Sequence, residues 1–492
     1  MAQTPGVLLA RAPAWAIALA LAALAFAVRA PTFGNPFLGF DEQFYLLVGD
    51  RMLHGALPYV DIFDRKPIGL LLLYAGVRAL GGEGVLQYQL AAATCAAATA
   101  ILLNRFALRL AAPLGAAAAA AAYILWLNLA EGEGGQAPVF FNLPMLVAAM
   151  LTARAWASPT RSAHPGLAAM LVVGIAMQIK YTALFEGIFL GCALLWSAQR
   201  AGGRAPRLAA LAALWIVAAL APTLLALGTY AALGHAPAFI FANFASLAGR
   251  LPDPVPARLL GLAVLAAILA PLVACAYLAR PRTPEAAFAR AWLLAALASI
   301  LAFGAWLSPH YALPVLAPAA LAAAPRLGTR PRLALVLLAT SLIAGQIVLH
   351  LTERAKGGRA QALALTAAVT PHHGCLYVYD GPPSLYLLTH SPLPTRWPFP
   401  GHLNTRDEAS PAAIGTNATA EVRRIMAAHP EVVVDTAPAY ALGNPETRAI
   451  VEASLARDYH LTFTQRTGTR TRLVYRLNGN IRSAGCTLPS AA

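Results

Sequence analysis

Residues 15–28 read WAIALALAALAFAV, an apolar run that begins shortly after Arg11. A membrane-spanning helix needs roughly 20 mostly apolar residues, and similar runs recur through about the first 350 residues and then stop. This first run lacks a small-residue cleavage site, so we expect a permanent membrane anchor and not a removable signal peptide. The sequence therefore predicts a polytopic membrane domain followed by a more polar C-terminal tail.

The composition of the whole chain agrees with a membrane protein. Of its 492 residues, 59% are hydrophobic and 12% are charged, and the mean hydropathy is +0.61, whereas a soluble domain is about 25% charged. The net charge of +15 does not form a patch, because the arginines lie in short clusters between apolar runs. We therefore reject nucleic acid as a partner and expect the bilayer as one.

Arginine clusters in short loops predict the orientation of the chain, because positively charged loops stay in the cytoplasm. The five clusters are Arg105/Arg109, Arg154/Arg161, Arg200/Arg204/Arg207, Arg280/Arg282/Arg290 and Arg326/Arg330/Arg332. Placing all of them inside gives eleven spans, with a cytoplasmic N-terminus and an outward-facing tail. The abundance of Arg and Ala suggests a GC-rich bacterial genome, and hence a bacterial inner (plasma) membrane with a periplasmic tail. The predicted spans are residues 14–30, 85–104, 112–129, 138–153, 165–179, 182–198, 208–231, 257–279, 290–307, 310–325 and 331–350.

The apolar segment 68–80 is too short to count readily as a span, and counting it would invert every later loop. We expect it to form a short helix in the membrane interface, between Pro67 and the glycines at 81 and 82. The predicted organisation is a transmembrane domain over residues 1–350, which includes a first periplasmic loop at 31–84, and a periplasmic domain over 351–492. Whether segment 68–80 spans the membrane stays open at this stage.

The tail has the patterns of a small α/β domain outside the membrane. Strands are predicted at residues 376–379, 432–434 and 473–475, and helices at 420–428 and 446–455. Cys375 and Cys486 both lie in this tail, where an oxidising compartment would allow them to pair. Two free thiols are the alternative.

The first outer loop reads GFDEQFYLLVGDRMLHGALPYVDIFDRKPIG over residues 39–69. Acidic residues contribute little to topology, so their density here needs another reason. We interpret it as chemistry on the outer face, although outer loops also need some polar residues simply for solvation. The five acids are Asp41, Glu42, Asp50, Asp61 and Asp64.

Asp41 and Lys66 are the strongest single candidates in this loop. Asp41 precedes an apolar-periodic helix predicted over residues 43–54, where it could act as the N-cap or, held at the membrane surface, as a general base. Lys66 could meet an anionic phosphate as a point charge or only extend its ammonium group to the membrane surface.

Three sequence motifs resemble a known family of membrane enzymes. The first is Asp41-Glu42 with Tyr45, followed by LPYVDIFDRKPIG; the others are Ser308-Pro-His-Tyr311 and Thr395-Arg396-Trp397. Together they resemble GT-C glycosyltransferases, in particular the bacterial relatives of protein O-mannosyltransferases that include the lipid A aminoarabinose and lipopolysaccharide galacturonosyl transferases. The resemblance covers the whole chain in outline, although the turn at Lys66-Pro67-Ile68 is one proline short of the commoner form.

This resemblance implies an all-α polytopic membrane domain of GT-C type, with about eleven transmembrane helices and a small C-terminal α/β extracytoplasmic domain. It implies transfer of a sugar from a polyprenyl-phosphate carrier to a lipid A or lipopolysaccharide, other glycan, lipid or protein acceptor at the periplasmic face. Asp41 would be the catalytic base that activates the acceptor hydroxyl, usually in an inverting displacement. The expected substrate-binding residues are Glu42, Tyr45, Asp61, Lys66, Lys180, His310 and Tyr311.

The cations among these residues have simpler alternative interpretations. Lys180 lies in a short outer turn, where snorkelling alone would explain it, and His310 could be an ordinary polar residue at the membrane boundary. The cofactor is unknown from sequence; if a divalent cation takes part, we expect Asp41 and Glu133 as ligands. Many relatives carry an acidic residue where this chain has Pro138, which leaves the second carboxylate open.

The competing functional class is a transporter or flippase for a lipid-linked sugar. Such a protein needs polar residues within its spans and broken helices in repeated halves. The predicted spans are mostly Ala and Leu, with Glu186 the clearest exception, and no inverted repeat is evident. A glycosyltransferase is therefore the preferred hypothesis, while the sugar and the acceptor remain open.

Overall fold

A computed structural model describes residues 13–157, 163–280, 283–304, 307–370 and 374–486. It is mostly helical, with strands only in the tail. The helices in chain order are α1 Ala14–Ala27, α2 Phe40–Leu53, α3 Ile68–Arg78, α4 Val85–Ala107, α5 Pro113–Leu127, α6 Ala137–Ala157, α7 Ala163–Met177, α8 Ala183–Arg200, α9 Ala205–Ala232, α10 Ala236–Ile240, α11 Ser246–Ala248, α12 Val255–Leu278, α13 Pro284–Phe303, α14 Leu313–Thr329, α15 Pro331–Lys356, α16 Arg359–Val369, α17 Ser384–Leu388, α18 Pro400–Asn404, α19 Pro411–Ile414, α20 Ala418–Ala427 and α21 Pro445–Asp458.

Each of the eleven predicted spans coincides with one of these helices. Within the described residues, eight helices are long and apolar enough to cross a membrane, namely α1, α4, α6, α9, α12, α13, α14 and α15. The other three predicted spans are helices α5 and α7, with 15 residues each, and α8, with 18. The chain is thus a polytopic helical membrane protein.

Helix α13 begins earlier in the chain than predicted, because a local N-cap fixes its start. The span was predicted to begin at residue 290, but the helix begins at Pro284 because the Thr283 hydroxyl accepts a hydrogen bond from the Ala286 amide. Proline at the first helical position suits this start, since its missing N–H has no partner there anyway. The predicted end of this span includes residues 305 and 306, which lie outside the described residues.

The chain forms two compact units. Unit 1 contains residues 13–33, 89–226 and 254–349, and unit 2 contains residues 34–88, 227–253 and 350–486. Unit 2 therefore combines the first loop, a second insertion and the whole tail.

Helix α14 lies in the core of unit 1 and packs against α5, α12 and α13. Small residues allow this packing: a Cβ atom built on Gly115 of α5 would lie 2.8 Å from the Cα atom of Gly328 in α14. Glu186 in α8 is 1% exposed, and its Oε2 atom accepts a 2.6 Å hydrogen bond from the indole of Trp292 in α13. This buried acid therefore has a partner between two helices.

Unit 2 contains a four-stranded sheet in the order β1-β2-β4-β3. Strands β1 and β2 are parallel, and the other two pairs are antiparallel. Three strands agree with the predicted positions. Strand β3 was not predicted, although Tyr459, Leu461 and Phe463 alternate with polar residues, and more than half of its residues are exposed. The strands are β1 Leu376–Val378, β2 Val432–Ala437, β3 Tyr459–Thr467 and β4 Arg470–Leu477.

The two cysteines of the tail form a disulfide bond. Cys375 precedes β1 and Cys486 follows β4, with Cα atoms 5.1 Å apart. Of the two alternatives that the sequence left open, the structure has the paired one. The remaining cysteines, Cys95, Cys192 and Cys275, are free and lie in α4, α8 and α12.

Candidate functional site

Helix α2 positions the first candidate residues of unit 2. Its N-cap is Gly39, so Asp41 lies inside the first turn and is not the N-cap that one interpretation expected. Glu42 is 2% exposed, and its carboxylate fills the space beside Gly39, where a Cβ atom would lie within 2.7 Å of its oxygens. The positive end of the helix dipole favours both carboxylates at this position.

Asp41, Tyr45 and Lys66 meet in one contact group. The Tyr45 hydroxyl donates a 3.2 Å hydrogen bond to Asp41 Oδ2, and Lys66 Nζ lies 3.6 Å from the same oxygen. The ammonium group also lies 5.2 Å from the centre of the Tyr45 ring. About a quarter of the Asp41 and Lys66 side chains remains exposed, so both can be reached from solvent.

Tyr45 is itself buried against two further tyrosines. Its ring centre lies 5.4 Å from that of Tyr74, which in turn lies 5.5 Å from Tyr88. Burial, and then the Asp41 carboxylate, raise the pKa of Tyr45 well above its usual value of 10. The phenol therefore keeps its proton and acts as a hydrogen-bond donor to Asp41.

The chain reaches Lys66 through a tightly folded loop. Tyr59 has a positive φ of 67°, and its hydroxyl donates a 2.7 Å hydrogen bond to the Lys66 carbonyl. The Asp61 carboxylate accepts a 2.7 Å bond from the Leu57 amide. Asp61, predicted to bind substrate, thus closes the turn that shapes this loop, and its contact with substrate stays a prediction.

Asp64 and Arg65 fix the backbone immediately before Lys66. Asp64 is 5% exposed, and its Oδ1 accepts a 2.6 Å hydrogen bond from the Arg65 amide and a 3.3 Å bond from the Lys66 amide. Desolvation by burial raises the pKa of Asp64 to about 6, although the Lys66 charge opposes this rise. The Arg65 guanidinium forms a bidentate pair with Glu408, at 2.7 Å and 2.5 Å.

The Arg65–Glu408 pair extends into a larger network within unit 2. Arg65 Nε donates to Ser246 Oγ at 3.1 Å, and Arg250 pairs with both Asp407 and Glu408. Burial raises the pKa of Glu408, and the Arg65 charge opposes this rise. The network joins the first loop, the segment after α10 and the tail.

His402 is a buried neighbour of this network. Its ring centre lies 5.0 Å from that of Phe63, 5.2 Å from Phe399 and 6.0 Å from Phe44. Burial, and then the Arg65 charge, lower the pKa of His402 well below 6.5, so the imidazole is neutral near pH 7.

Unit 1 holds a second group of candidate residues. Lys180 Nζ lies 4.6 Å from the centre of the Tyr311 ring, which lies 4.6 Å from the His310 ring. His310 Nδ1 is 3.3 Å from Glu131 Oε2. The structure thus brings together three residues that the sequence proposed separately. Beside them lies Glu131, which with Glu133 is one of the two loop acids that could replace the acidic residue missing at Pro138.

The second candidate metal ligand, Glu133, is 6% exposed in unit 1, whereas Asp41 belongs to unit 2. Arg29 is fully buried near Glu133, and its Nη2 donates a 2.7 Å hydrogen bond to the Gly132 carbonyl. No group of three or more His, Cys, Asp or Glu side chains in the described ranges is arranged to hold a metal ion. Asp41 is instead surrounded by an ammonium group and a phenol, so the metal assignment stays a prediction.

Sequence reasoning missed the side chains that support the first loop. Arg65 stands beside the predicted Lys66, but Glu408 gives no local signal, because it is far away in sequence. Arg250 was a weaker candidate from its outer loop, and its pairing with Asp407 and Glu408 was not predicted. Asp50, one of the five loop acids, accepts a 2.9 Å bond from Arg78 and ties α2 to α3. Of these five acids, only Asp41 and Glu42 lie in the first turn of α2.

Comparisons with known proteins identify the fold. No protein-family model and no curated protein matches the chain. A crystal structure of ArnT from Cupriavidus metallidurans bound to undecaprenyl phosphate is 16% identical, with a TM-score of 0.58, and the match covers 98% of this chain and 99% of that one. The apo structure of the same protein is 14% identical, with a TM-score of 0.61 and coverage of 96% and 98%.

Sequence identity this low establishes the fold alone, but the similarity extends over nearly the full length of both chains. It includes the helical membrane part and the small α/β tail. This chain therefore has the fold of the ArnT structures, with the polytopic helical domain and the small α/β tail that the sequence predicted.

Proposed function

We propose that this protein is a glycosyltransferase that moves a sugar from a polyprenyl-phosphate carrier to an acceptor at the outer face of a bacterial inner membrane. The observation that carries the proposal is the contact group of Asp41, Tyr45 and Lys66 at the start of α2. A partly exposed carboxylate beside an ammonium group offers a base and a phosphate ligand side by side. The bound undecaprenyl phosphate in one ArnT structure supports a carrier of this class.

In the proposed reaction, the acceptor hydroxyl attacks the anomeric carbon of the sugar. The bond between that carbon and the phosphate oxygen breaks, and its electron pair leaves with the carrier phosphate. Asp41 accepts the hydroxyl proton, and Lys66 stabilises the negative charge of the departing phosphate. A strong general acid is unnecessary, because phosphate is already a good leaving group.

Lys66 has a second proposed role before the reaction. In the free protein it faces the Asp41 carboxylate at 3.6 Å. A carrier phosphate that draws the ammonium group towards itself would leave the carboxylate available to the acceptor proton. Tyr45, which keeps its own hydrogen bond to Asp41, would hold the carboxylate in place during this exchange.

Replacing Asp41 by Asn tests the base. We expect a loss of about 10²- to 10⁴-fold in kcat, the usual contribution of a general base, with little change in donor binding. The acceptor is first identified by comparing the glycans and lipids of a deletion strain with those of its parent. The assay then follows cleavage of undecaprenyl-phosphate-linked sugars by purified protein in lipid nanodiscs.

Glu83→Gln is the matched control, because Glu83 is an exposed acid of the same loop. It should leave activity unchanged. Full activity of a correctly folded Asp41→Asn protein would refute the proposed base. Release of intact donor across the membrane, without cleavage of its phosphate bond, would instead indicate the transporter class.

For unit 1 by itself, we propose that Lys180 and His310 can contact a lipid phosphate. We expect Lys180→Met and His310→Gln to raise the KM for the donor more than they lower kcat. Because Lys180 and His310 both contact the Tyr311 ring, the double variant should lose less than the product of the two single effects. An unchanged KM in both single variants would remove these residues from the donor site.

A further inference from the structure

Unit 2 contains a cleft at the carboxyl ends of its two parallel strands. Tyr379 and Asp380 directly follow β1, Tyr440 follows β2, and Arg448 lies in the first turns of α21. The cleft has a volume of about 270 Å³. We call it the strand-end cleft and define it by Tyr379, Asp380, Asn404, Arg406, Tyr440 and Arg448.

The walls of this cleft are fixed by backbone pairing. The Arg406 amide donates to the Leu442 carbonyl at 2.9 Å, and the Asn444 amide donates to the Asn404 carbonyl at 2.8 Å. The Asn404 side chain in turn donates a 2.7 Å bond to the Tyr379 carbonyl. A ligand would therefore meet a preformed surface and lose little free energy in ordering it.

Most charges around the cleft are already compensated. Asp380 Oδ2 pairs with Arg470 at 2.6 Å, and Arg448 pairs with Asp435 and Glu452 at 2.7 Å each. The first amides of α21 are capped by the Asn444 side chain, so they are not offered to an anion. These features disfavour a strongly anionic ligand such as inorganic phosphate.

Three groups remain available for a neutral polar ligand. Within the described part of the chain, Asp380 Oδ1, the Tyr440 hydroxyl and the Arg406 guanidinium make no hydrogen bond, and Tyr440 is 47% exposed. They offer an acceptor, donors and an aromatic face, which together suit a ring that carries hydroxyls on its edge and C–H groups on its face. The cleft volume is large enough to admit one sugar ring.

We infer that the strand-end cleft binds one ring of a saccharide, through the Tyr440 face and through hydroxyl contacts to Asp380 and Arg406. This inference goes beyond the proposed transfer reaction, because it concerns a separate place in unit 2 and requires only that the tail meets glycans. Such a site would hold part of a glycan while another part reacts elsewhere.

The test is saturation-transfer NMR on the full-length protein in a detergent without a sugar headgroup. The probes are the neutral sugars galactose and N-acetylglucosamine, with inorganic phosphate followed separately by phosphorus NMR. We expect at least one sugar to bind, and we expect Tyr440→Ala to weaken that binding about tenfold through the lost ring contact. Arg406→Ala should also weaken it.

Two control variants change equally accessible residues elsewhere in the tail. Leu461→Ala removes a side chain with the same 47% exposure on β3, and Arg423→Ala removes an exposed arginine on α20. Both should retain sugar binding. Asp41→Asn should retain it too, so failure of the proposed catalytic role and failure of the sugar site can be told apart.

Three outcomes would overturn the inference. They are absence of binding for every sugar, binding of phosphate alone, and sugar binding that neither Tyr440→Ala nor Arg406→Ala reduces. Thermal unfolding of each variant checks the fold. Because the Tyr440 and Arg406 side chains are exposed, neither substitution should lower the unfolding temperature.

Discussion

Asp64 holds a carboxyl group in surroundings that suit its neutral form. Its Oδ1 atom accepts two backbone hydrogen bonds, while the buried Oδ2 atom has no partner in the described chain. Burial raises its pKa from 3.8 to about 6. The folded state therefore binds a proton more tightly than the unfolded state, and the free energy of unfolding falls as the pH rises from about 4 to 6.

Asp64→Asn should remove the loss of stability that occurs as the pH rises. The rise in pKa corresponds to about 3 kcal/mol, so we expect the variant to be more stable than the parent at about pH 8 by up to that amount, with the difference vanishing near pH 4. Denaturant unfolding in detergent at several pH values measures it. A stability difference between Asp64→Asn and the parent that is the same at all pH values would contradict the assignment.

The sequence could identify Asp41 and Lys66 because each belongs to a short local motif. It could not identify the contacts that hold them, because the partners are far apart in sequence. Arg65 and its partner Glu408 are 343 positions apart, and Gln43 accepts a hydrogen bond from the Ser384 hydroxyl, 341 positions away. A charged residue that forms a buried pair looks, in sequence, like one that faces solvent. The residues that support the candidate site could therefore be identified only from the three-dimensional structure.

At the scale of elements, two helical glycines make a matched pair. A Cβ atom at Gly115 would clash with the backbone of α14, whereas nothing lies within 4 Å of one at Gly228 in α9. We expect Gly115→Ala to destabilise the protein by about 1 to 3 kcal/mol through overpacking. Gly228→Ala should be neutral or stabilise by up to about 1 kcal/mol, because alanine favours the helix.

Thermal unfolding of the two glycine variants in one detergent measures this contrast. Equal unfolding temperatures would mean that α5 and α14 separate more easily than their packing indicates. A loss in Gly228→Ala alone would contradict the assignment of open space beside α9.

Long apolar helices were the easiest elements to predict, because a span of Ala and Leu needs no partner to be recognised. Boundaries were harder, as α13 shows: Thr283 and Pro284 begin the helix well before its apolar run. The strand β3 was missed although Tyr459, Leu461 and Phe463 alternate with polar residues, because an exposed strand has few apolar residues to reveal it. Exposed strands were thus less visible than long apolar helices.

At the scale of the whole molecule, the cysteines allow the proposed periplasmic position of the tail to be tested. A disulfide such as Cys375–Cys486 persists in an oxidising compartment, and the other three cysteines are free thiols. We expect alkylation of the denatured protein to modify three cysteines without reductant and all five after reduction. Mass spectrometry of protein from the native membrane counts them.

The variant Cys375→Ser provides the control for this count. It leaves Cys486 as a free thiol, so four cysteines should react with or without reductant. Modification of all five parental cysteines without reductant would place the tail in a reducing compartment and would overturn the proposed periplasmic side.

Unit 2 is assembled from three separated parts of the chain, and this has a consequence for the order of events during synthesis. The loop with Asp41 and Lys66 leaves the ribosome early, but Glu408, the partner of Arg65, follows 343 residues later. At roughly 5–20 residues per second, the loop waits on the order of 20 to 70 seconds for that partner. A nascent chain stopped before the tail would carry the candidate base and phosphate ligand without the contacts that hold their loop in shape.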